Sequence, residues 1–223
     1  MKAKKLAKFY KDYLEKSFNL AEDGKSKIDE YIKEMQGMTG IKTRHLYNLI
    51  MSMPDSRYLE IGTWKGSSVC SAICGNSANV TCIDNWCQFF GAKEELLSNI
   101  ERYKGSNSVE FIESDCFSID CSKLGNFNVY MYDGDHSQES HHKALSYFIG
   151  NLDETFIYIV DDWNYEMVRN GTFSAIEELK LTVFWKKEII TRGPEDDPVI
   201  WNDPDEESKN NWWNGIAVFV LVK

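Results

Sequence analysis

The stretch Arg57-Tyr-Leu-Glu-Ile-Gly-Thr-Trp-Lys-Gly-Ser-Ser68 limits what this chain can fold into more than any other part of it. Tyr58, Leu59 and Ile61 form a short apolar run with Glu60 near its carboxyl end, as in a buried strand. Gly62 and Gly66 follow, opening backbone geometries and close approaches that a side chain would block. From Ser67 to Cys74 the residues are small and apolar enough to pack as a helix on a sheet. Such a helix N-terminus offers free N–H groups and a positive dipole end to an anionic ligand group. The spacing Glu-x-Gly-x-x-x-Gly departs from Gly-x-Gly-x-x-Gly, whose second glycine lets the backbone approach a dinucleotide pyrophosphate. A nucleotide-type ligand other than NAD is expected at this turn.

Downstream the pattern alternates. Apolar runs at Tyr58 to Ile61, Val80 to Ile83, Val109 to Ile112, Val129 to Tyr132 and Phe156 to Val160 are separated by helical segments at 67–75, 91–104, 137–149 and 170–181. That alternation predicts a Rossmann-like α/β fold, a mostly parallel sheet with helices on both faces. Val183 to Ile190 and Gly215 to Val222 have no helix pattern between them and predict a C-terminal antiparallel strand pair. Residues 4–50 read as helices, with Leu6, Phe9, Tyr10, Leu14 and Phe18 at helical spacing. The expected organisation is a helical N-terminal extension over 1–55 packed on a core over 56–223. The stretch 191–214 carries Pro194, Pro198, Pro204, an acidic run and Trp201, Trp212 and Trp213. A polar loop of that length is commonly functional or disordered; its tryptophans suggest a lid or a contact surface, or rings packed back on the sheet edge.

With 223 residues and 43% hydrophobic content the chain can bury one ordinary core. Its formal net charge of −10 argues against nucleic acid or an anionic membrane surface as partner and favours a small-molecule acceptor. Six cysteines without a metal-type Cys-x-x-Cys pair read as reduced thiols. The basic N-terminus lacks a signal-peptide core, and no stretch approaches the roughly 18 apolar residues of a membrane span. The expectation is a cytoplasmic protein, with the N-terminal helices and the tryptophan loop each able to form a homodimer contact or to shape the acceptor pocket.

In an open α/β sheet ligands sit at the carboxyl ends of the strands. Here those ends are acidic: Glu60, Asp84, Asp115, Asp133 with Asp135, and Asp161 with Asp162. Asp84 lies 22 residues beyond Gly62, where a carboxylate accepts from a ribose diol, and Asn85 and Trp86 can flank an adenine. Asp115 is placed to accept from an exocyclic amine, with the Cys116 N–H donating to a ring nitrogen; a helix cap before Phe117 explains Asp115 equally well. Asp133, Asp135, Asp161 and Asp162 end neighbouring strands, and like charges at short range raise one another's pKa. A divalent cation removes the conflict, and oxygen ligands favour Mg²⁺, Mn²⁺ or Ca²⁺ over zinc. His136 could be a ligand or a base, or a solvated cap.

These residues resemble those of the class I S-adenosylmethionine (SAM)-dependent methyltransferases over roughly 56–223, on the strength of Glu60-x-Gly62-x-x-x-Gly66, Asp84 and Asp115. Tyr-Leu-Glu-Ile-Gly-Thr-Trp-Lys-Gly-Ser-Ser, Tyr-Asp-Gly-Asp-His-Ser and Val-Asp-Asp-Trp are similar to signatures of the macrocin-type small-molecule O-methyltransferases, akin in layout to the catechol type. The resemblance implies that Gly62 and Thr63 line the methionine moiety, Ser68 meets its carboxylate, Asp84 takes the ribose and Asp115 the adenine amine. It also implies that Asp133, Asp161 and Asp162 hold a metal, Mg²⁺ first, and that Asp135 is the base. Asp-Asp replaces the Asp-Asn of catechol-type enzymes, and no lysine lies between Asp133 and Ser140 to serve as their base does. The leading expectation is metal-assisted O-methylation of a small-molecule hydroxyl, on a sugar or a metabolite. Its rivals are a nucleotide-sugar glycosyltransferase using Asp133 and Asp135, and a non-catalytic binding module.

Overall fold

The computed structural model describes residues 2–89, 91–192 and 205–223. Three helices come first, α1 (Lys2–Glu22), α2 (Glu30–Glu34) and α3 (Ile41–Met51). The core then alternates β1 (Arg57–Ile61), α4 (Ser67–Ile73), β2 (Asn79–Asp84), α5 (Lys93–Tyr103), β3 (Ser108–Glu113), β4 (Phe127–Tyr132), α6 (Gln138–Phe148), β5 (Leu152–Asp161) and α7 (Glu166–Glu178). It ends with β6 (Thr182–Ile189), α8 (Glu206–Asn210) and β7 (Ile216–Val222).

The strands form one sheet in the order β3-β2-β1-β4-β5-β7-β6. β1 to β5 pair in parallel, and β7 pairs antiparallel with β5 on one side and β6 on the other. The expected terminal pair is present, and β7 enters between β5 and β6, so β7 alone runs against the other strands. The order reverses at β1, which places the carboxyl ends of β1 and β4 at the switch point where ligands bind in such sheets.

Alternation along each strand builds a core on either face. Tyr58, Val80, Val129, Met131 and Val218 pack with α1, α3, α4 and α5; Leu59, Ile83, Tyr130, Tyr132 and Phe219 pack with α6 and α7. Helix α1 departs from the predicted stripe. It buries Ala7, Tyr10, Leu14, Phe18 and Ala21, leaving Leu6 and Phe9 exposed. The small Ala7 and Ala21 let that side of the helix come close to the sheet, which the bulkier stripe would prevent. The helix expected from 170 begins at Glu166, anchored by Arg169, whose guanidinium donates to the carbonyls of Trp163 and Asn164, both at 2.7 Å.

Trp212 and Trp213 are buried. Trp212 donates through Nε1 to Glu22 at 2.9 Å and packs on Phe18, which ties the chain's end to α1. Half of the stretch 191–214, which the sequence offers as a lid, a contact surface or rings packed on the sheet edge, lies with Trp201 outside the described residues. All six cysteines are free, and no helix among the described residues is long and apolar enough to cross a membrane.

Candidate functional site

The site begins at the glycine turn. Gly62 has φ 87°, and a Cβ there would fall 1.7 Å from the carbonyl oxygen of Asp133, so the turns after β1 and β4 touch through backbone alone. The Gly62 amide donates to Ile83 at 3.0 Å and that of Asp133 to Ile61 at 2.9 Å, lacing the ends of β1, β2 and β4 together. Asp84 then organises the far wall. Its two oxygens accept from the amides of Trp64 (2.6 Å) and Trp86 (2.7 Å), both residues held at positive φ. Each oxygen keeps a lone pair for a further donor. Trp86 Nε1 donates to the Trp64 carbonyl at 3.2 Å, and its ring lies 5.2 Å from that of Phe111.

These walls enclose a cavity of about 380 Å³ at the carboxyl edge of the sheet. It brings together Gly62, Asp84, Asn85, Trp86, Asp115, Cys116, Asp133, Asp135 and Asp162 of the predicted residues. Glu60, Thr63, Gly66, Ser68 and Asp161 do not line it. Glu60 points into the core behind the turn and accepts from Ser68 Oγ at 2.6 Å. Gly66, at φ 90°, caps α4. Asp115 Oδ1 accepts from the Phe117 amide at 2.7 Å, the cap geometry, while its residue still faces the cavity.

The acidic cluster lies opposite Asp84. Asp133, His136 and Asp162 each offer a ligand atom within 4.8 Å of the others. His136 Nε2 is 2.8 Å from Asp162 Oδ2, and its ring stacks on Tyr165 at 5.5 Å. Asp161 turns away, accepting from the Asp162 amide at 3.0 Å and from Tyr47 Oη at 3.5 Å. Burial, then the neighbouring carboxylates, push Asp133 and Asp161 well above the usual carboxylate range. Burial alone would lower His136, but its hydrogen bond to Asp162 and the charges around it leave it raised. Asp135 behaves oppositely: Ser137 and Ser140 (2.7 Å) donate to its Oδ2 and hold it below the usual range. The crowding of Asp133 and Asp162 beside His136 is the chemistry of a donor set that fits a divalent cation.

His136 was visible only as one of three options in the sequence, Trp213 only as part of a possible lid or contact surface, and Met38, Tyr165 and Asn214, which also line the cavity, were not visible as site residues. They come from segments far apart in the chain, and no local spacing marks them.

The comparisons agree with this geometry. Residues 59–163 match the methyltransferase-domain family model Methyltransf_24. No curated protein matches the chain. Among solved structures, the O-methyltransferase TomG of Streptomyces achromogenes, in complex with SAM, is 13% identical with a TM-score of 0.58, covering 88% of this chain and 91% of that one. A Bacillus cereus O-methyltransferase bound to S-adenosylhomocysteine (SAH) is 15% identical with a TM-score of 0.58, covering 88% and 92%. Precorrin 8W decarboxylase of Methanobacterium thermoautotrophicum is 16% identical with a TM-score of 0.54, covering 85% and 94%. At such identities these likenesses show the fold alone. The match of residues 59–163 to a methyltransferase domain and the fold shared with SAM- and SAH-bound O-methyltransferases point the same way. Nothing in them supports the glycosyltransferase alternative.

Proposed function

We propose that the protein methylates a hydroxyl of a small-molecule acceptor, assisted by a divalent cation at Asp133 and Asp162. The observation that carries this reading is the composition of the cavity wall: five carboxylates, and no lysine or arginine among its described residues. Such a wall suits a sulfonium cofactor, a cation and an uncharged polyol, and would repel a phosphorylated or nucleic-acid acceptor.

The residues present fit SAM. Asp84 would receive the ribose, and Ile83, Trp86, Cys116 and Phe117 form the apolar slot beside Asp115 that an adenine requires. The cofactor supplies an electrophilic methyl, and a bound cation supplies Lewis acidity that lowers the pKa of a hydroxyl. The chain orients the acceptor and takes its proton. Asp135 is the proton acceptor of this reading: the donors Ser137 and Ser140 keep it ionised at neutral pH. They also make it a weak base, so it serves an acidified hydroxyl and not a free alcohol. Tyr165, Trp213 and Asn214 form the wall nearest these groups and would hold the acceptor in line.

A thermal-unfolding series with SAH, and separately with UDP-glucose, each with and without Mg²⁺, tests the reading. A ligand at 100 times its dissociation constant adds about 2.7 kcal/mol. Stabilisation by SAH together with methyl transfer to a hydroxylated acceptor that EDTA abolishes is the expected result. Transfer unaffected by EDTA would remove the cation, and stabilisation by UDP-glucose alone would remove the methyltransferase reading.

A further inference from the structure

Resting on the cation reading above, we propose that His136 supplies a third donor beside Asp133 and Asp162. The site would then be a mixed nitrogen–oxygen one suited to a first-row transition ion such as Mn²⁺, Fe²⁺ or Co²⁺ in preference to Mg²⁺. Three observations lead there. First, the ligand atoms of Asp133, His136 and Asp162 already lie within 4.8 Å of one another. Second, the imidazole is oriented: stacking on Tyr165 holds the ring, and Nε2 points at Asp162 Oδ2 from 2.8 Å. Third, Asp161, the residue expected to complete an all-oxygen set, is committed elsewhere. One oxygen accepts from the following amide and the other faces Tyr47, a fully buried residue of α3.

An imidazole nitrogen in place of a carboxylate oxygen changes what the site selects. Mg²⁺ demands hard oxygen donors in near-octahedral array and keeps its waters, whereas imidazole suits softer first-row ions and two carboxylates satisfy their charge. The same Nε2 that now shares a proton with Asp162 would share the ion with it. The spacing Asp133-x-x-His136 and the single residue Asp162 across the strand gap would then form one site from two neighbouring strand ends.

The test uses the full-length protein with Mn²⁺ and Mg²⁺ as probes. Pulsed EPR of bound Mn²⁺ should show ¹⁴N modulation from one imidazole. In His136→Gln that modulation should vanish, Mn²⁺ affinity should fall by about tenfold or more, and Mg²⁺ affinity should change by less than about threefold, which also reports that the variant is folded. Asp133→Asn should weaken both ions and so locate them. Bound Mn²⁺ without ¹⁴N modulation, or His136→Gln binding Mn²⁺ as tightly as the parent, would overturn the mixed site while leaving the cation reading intact. Failure of the parent protein to bind either ion would overturn both.

Discussion

Glu60 provides the sharpest test of the energetics behind the glycine turn. Its side chain is fully buried; Oε1 accepts from Ser68, and Oε2 has no hydrogen-bond partner among the described residues. Burial raises its pKa from 4.5 to about 7, the Ser68 hydrogen bond opposing and the charge of Asp84 adding to the rise. The sign follows from linkage. The folded protein holds this proton more tightly than the unfolded chain, so the stabilisation is fully present below the unfolded value and is lost as pH rises through the folded one. At 1.36 kcal/mol per pKa unit, the swing between pH 5 and pH 8 is about 3 kcal/mol. Glu60→Gln keeps an acceptor for Ser68 and cannot ionise. Its amide can donate towards Thr63 Oγ1, which is itself buried without a partner. Urea denaturation of both proteins at pH 5, 6, 7 and 8 isolates the effect, because every other titrating group is common to them. The difference in unfolding free energy should move in the variant's favour by about 3 kcal/mol over that range. Parallel pH profiles would refute the reasoning, whatever the absolute offset.

Gly62→Ala should cost about 3 kcal/mol or more and abolish the SAH-induced rise in Tm, since both φ 87° and the 1.7 Å approach to a backbone carbonyl oppose a side chain; paired thermal melts check it. His141 is buried with both ring nitrogens unpartnered, and burial lowers its pKa from 6.5 to about 4. The unfolded chain takes this proton first, so stability should fall by about 3 kcal/mol as pH drops from 6.5 to 4, and His141→Leu should remove that component of the acid profile in urea melts. Arg44→Met should destabilise by about 2–4 kcal/mol in the same assay, because the guanidinium is buried and donates to the carbonyls of Thr39, Ile32 and Met35, of which only that of Ile32 keeps another donor, the Met35 amide.

What could be read from the sequence was the part governed by local pattern. Each parallel strand is an apolar run that ends near a carboxylate, and each run lies within an observed strand; in β1, β2, β4 and β5 burial on both faces leaves little polar residue to blur the limits, while the edge strand β3 is marked by alternation around Glu110. Asp84 and Asp133 were legible for the same reason: their positions follow from where a strand stops. Directions of side chains were not legible. Glu60 and Ile61 are neighbours, yet alternation sends Glu60 into the core under α4 and Ile61 to the opposite face, where it also lines the cavity. Asp161 and Asp162 are adjacent, but the positive φ of Asp162 turns the chain so that only the second meets His136. The face that α1 buries keeps Tyr10, Leu14 and Phe18 of the expected stripe and takes in the small Ala7 and Ala21, while Leu6 and Phe9 stay exposed, a shift that size-blind periodicity does not show.

The N-terminal helices are part of the site's architecture and not only a cover for the sheet. Gly37 lies so close to the start of α4 that a Cβ there would meet Ser67 Oγ at 2.0 Å, and Thr39 Oγ1 is 3.3 Å from the same hydroxyl. That contact sets Met38, the next residue, against the cavity beside the glycine turn. Arg44 holds the segment in place from below by collecting the carbonyls of Ile32, Met35 and Thr39, and Tyr47, one turn further along α3, faces Asp161. From the other end of the chain, Trp213 and Asn214 reach the cavity on the approach to β7, whose position between β5 and β6 brings them beside Asp162. The carboxyl ends of the parallel strands therefore supply the charged groups. Two segments outside the β1–β5 core, 35–40 and 212–215, add Met38, Trp213 and Asn214 to the cavity wall. On the proposed methyl-transfer reading the reacting groups lie at the strand ends, so a change of acceptor should be sought at the uncharged Met38, Trp213 and Asn214 before the acidic cluster is altered.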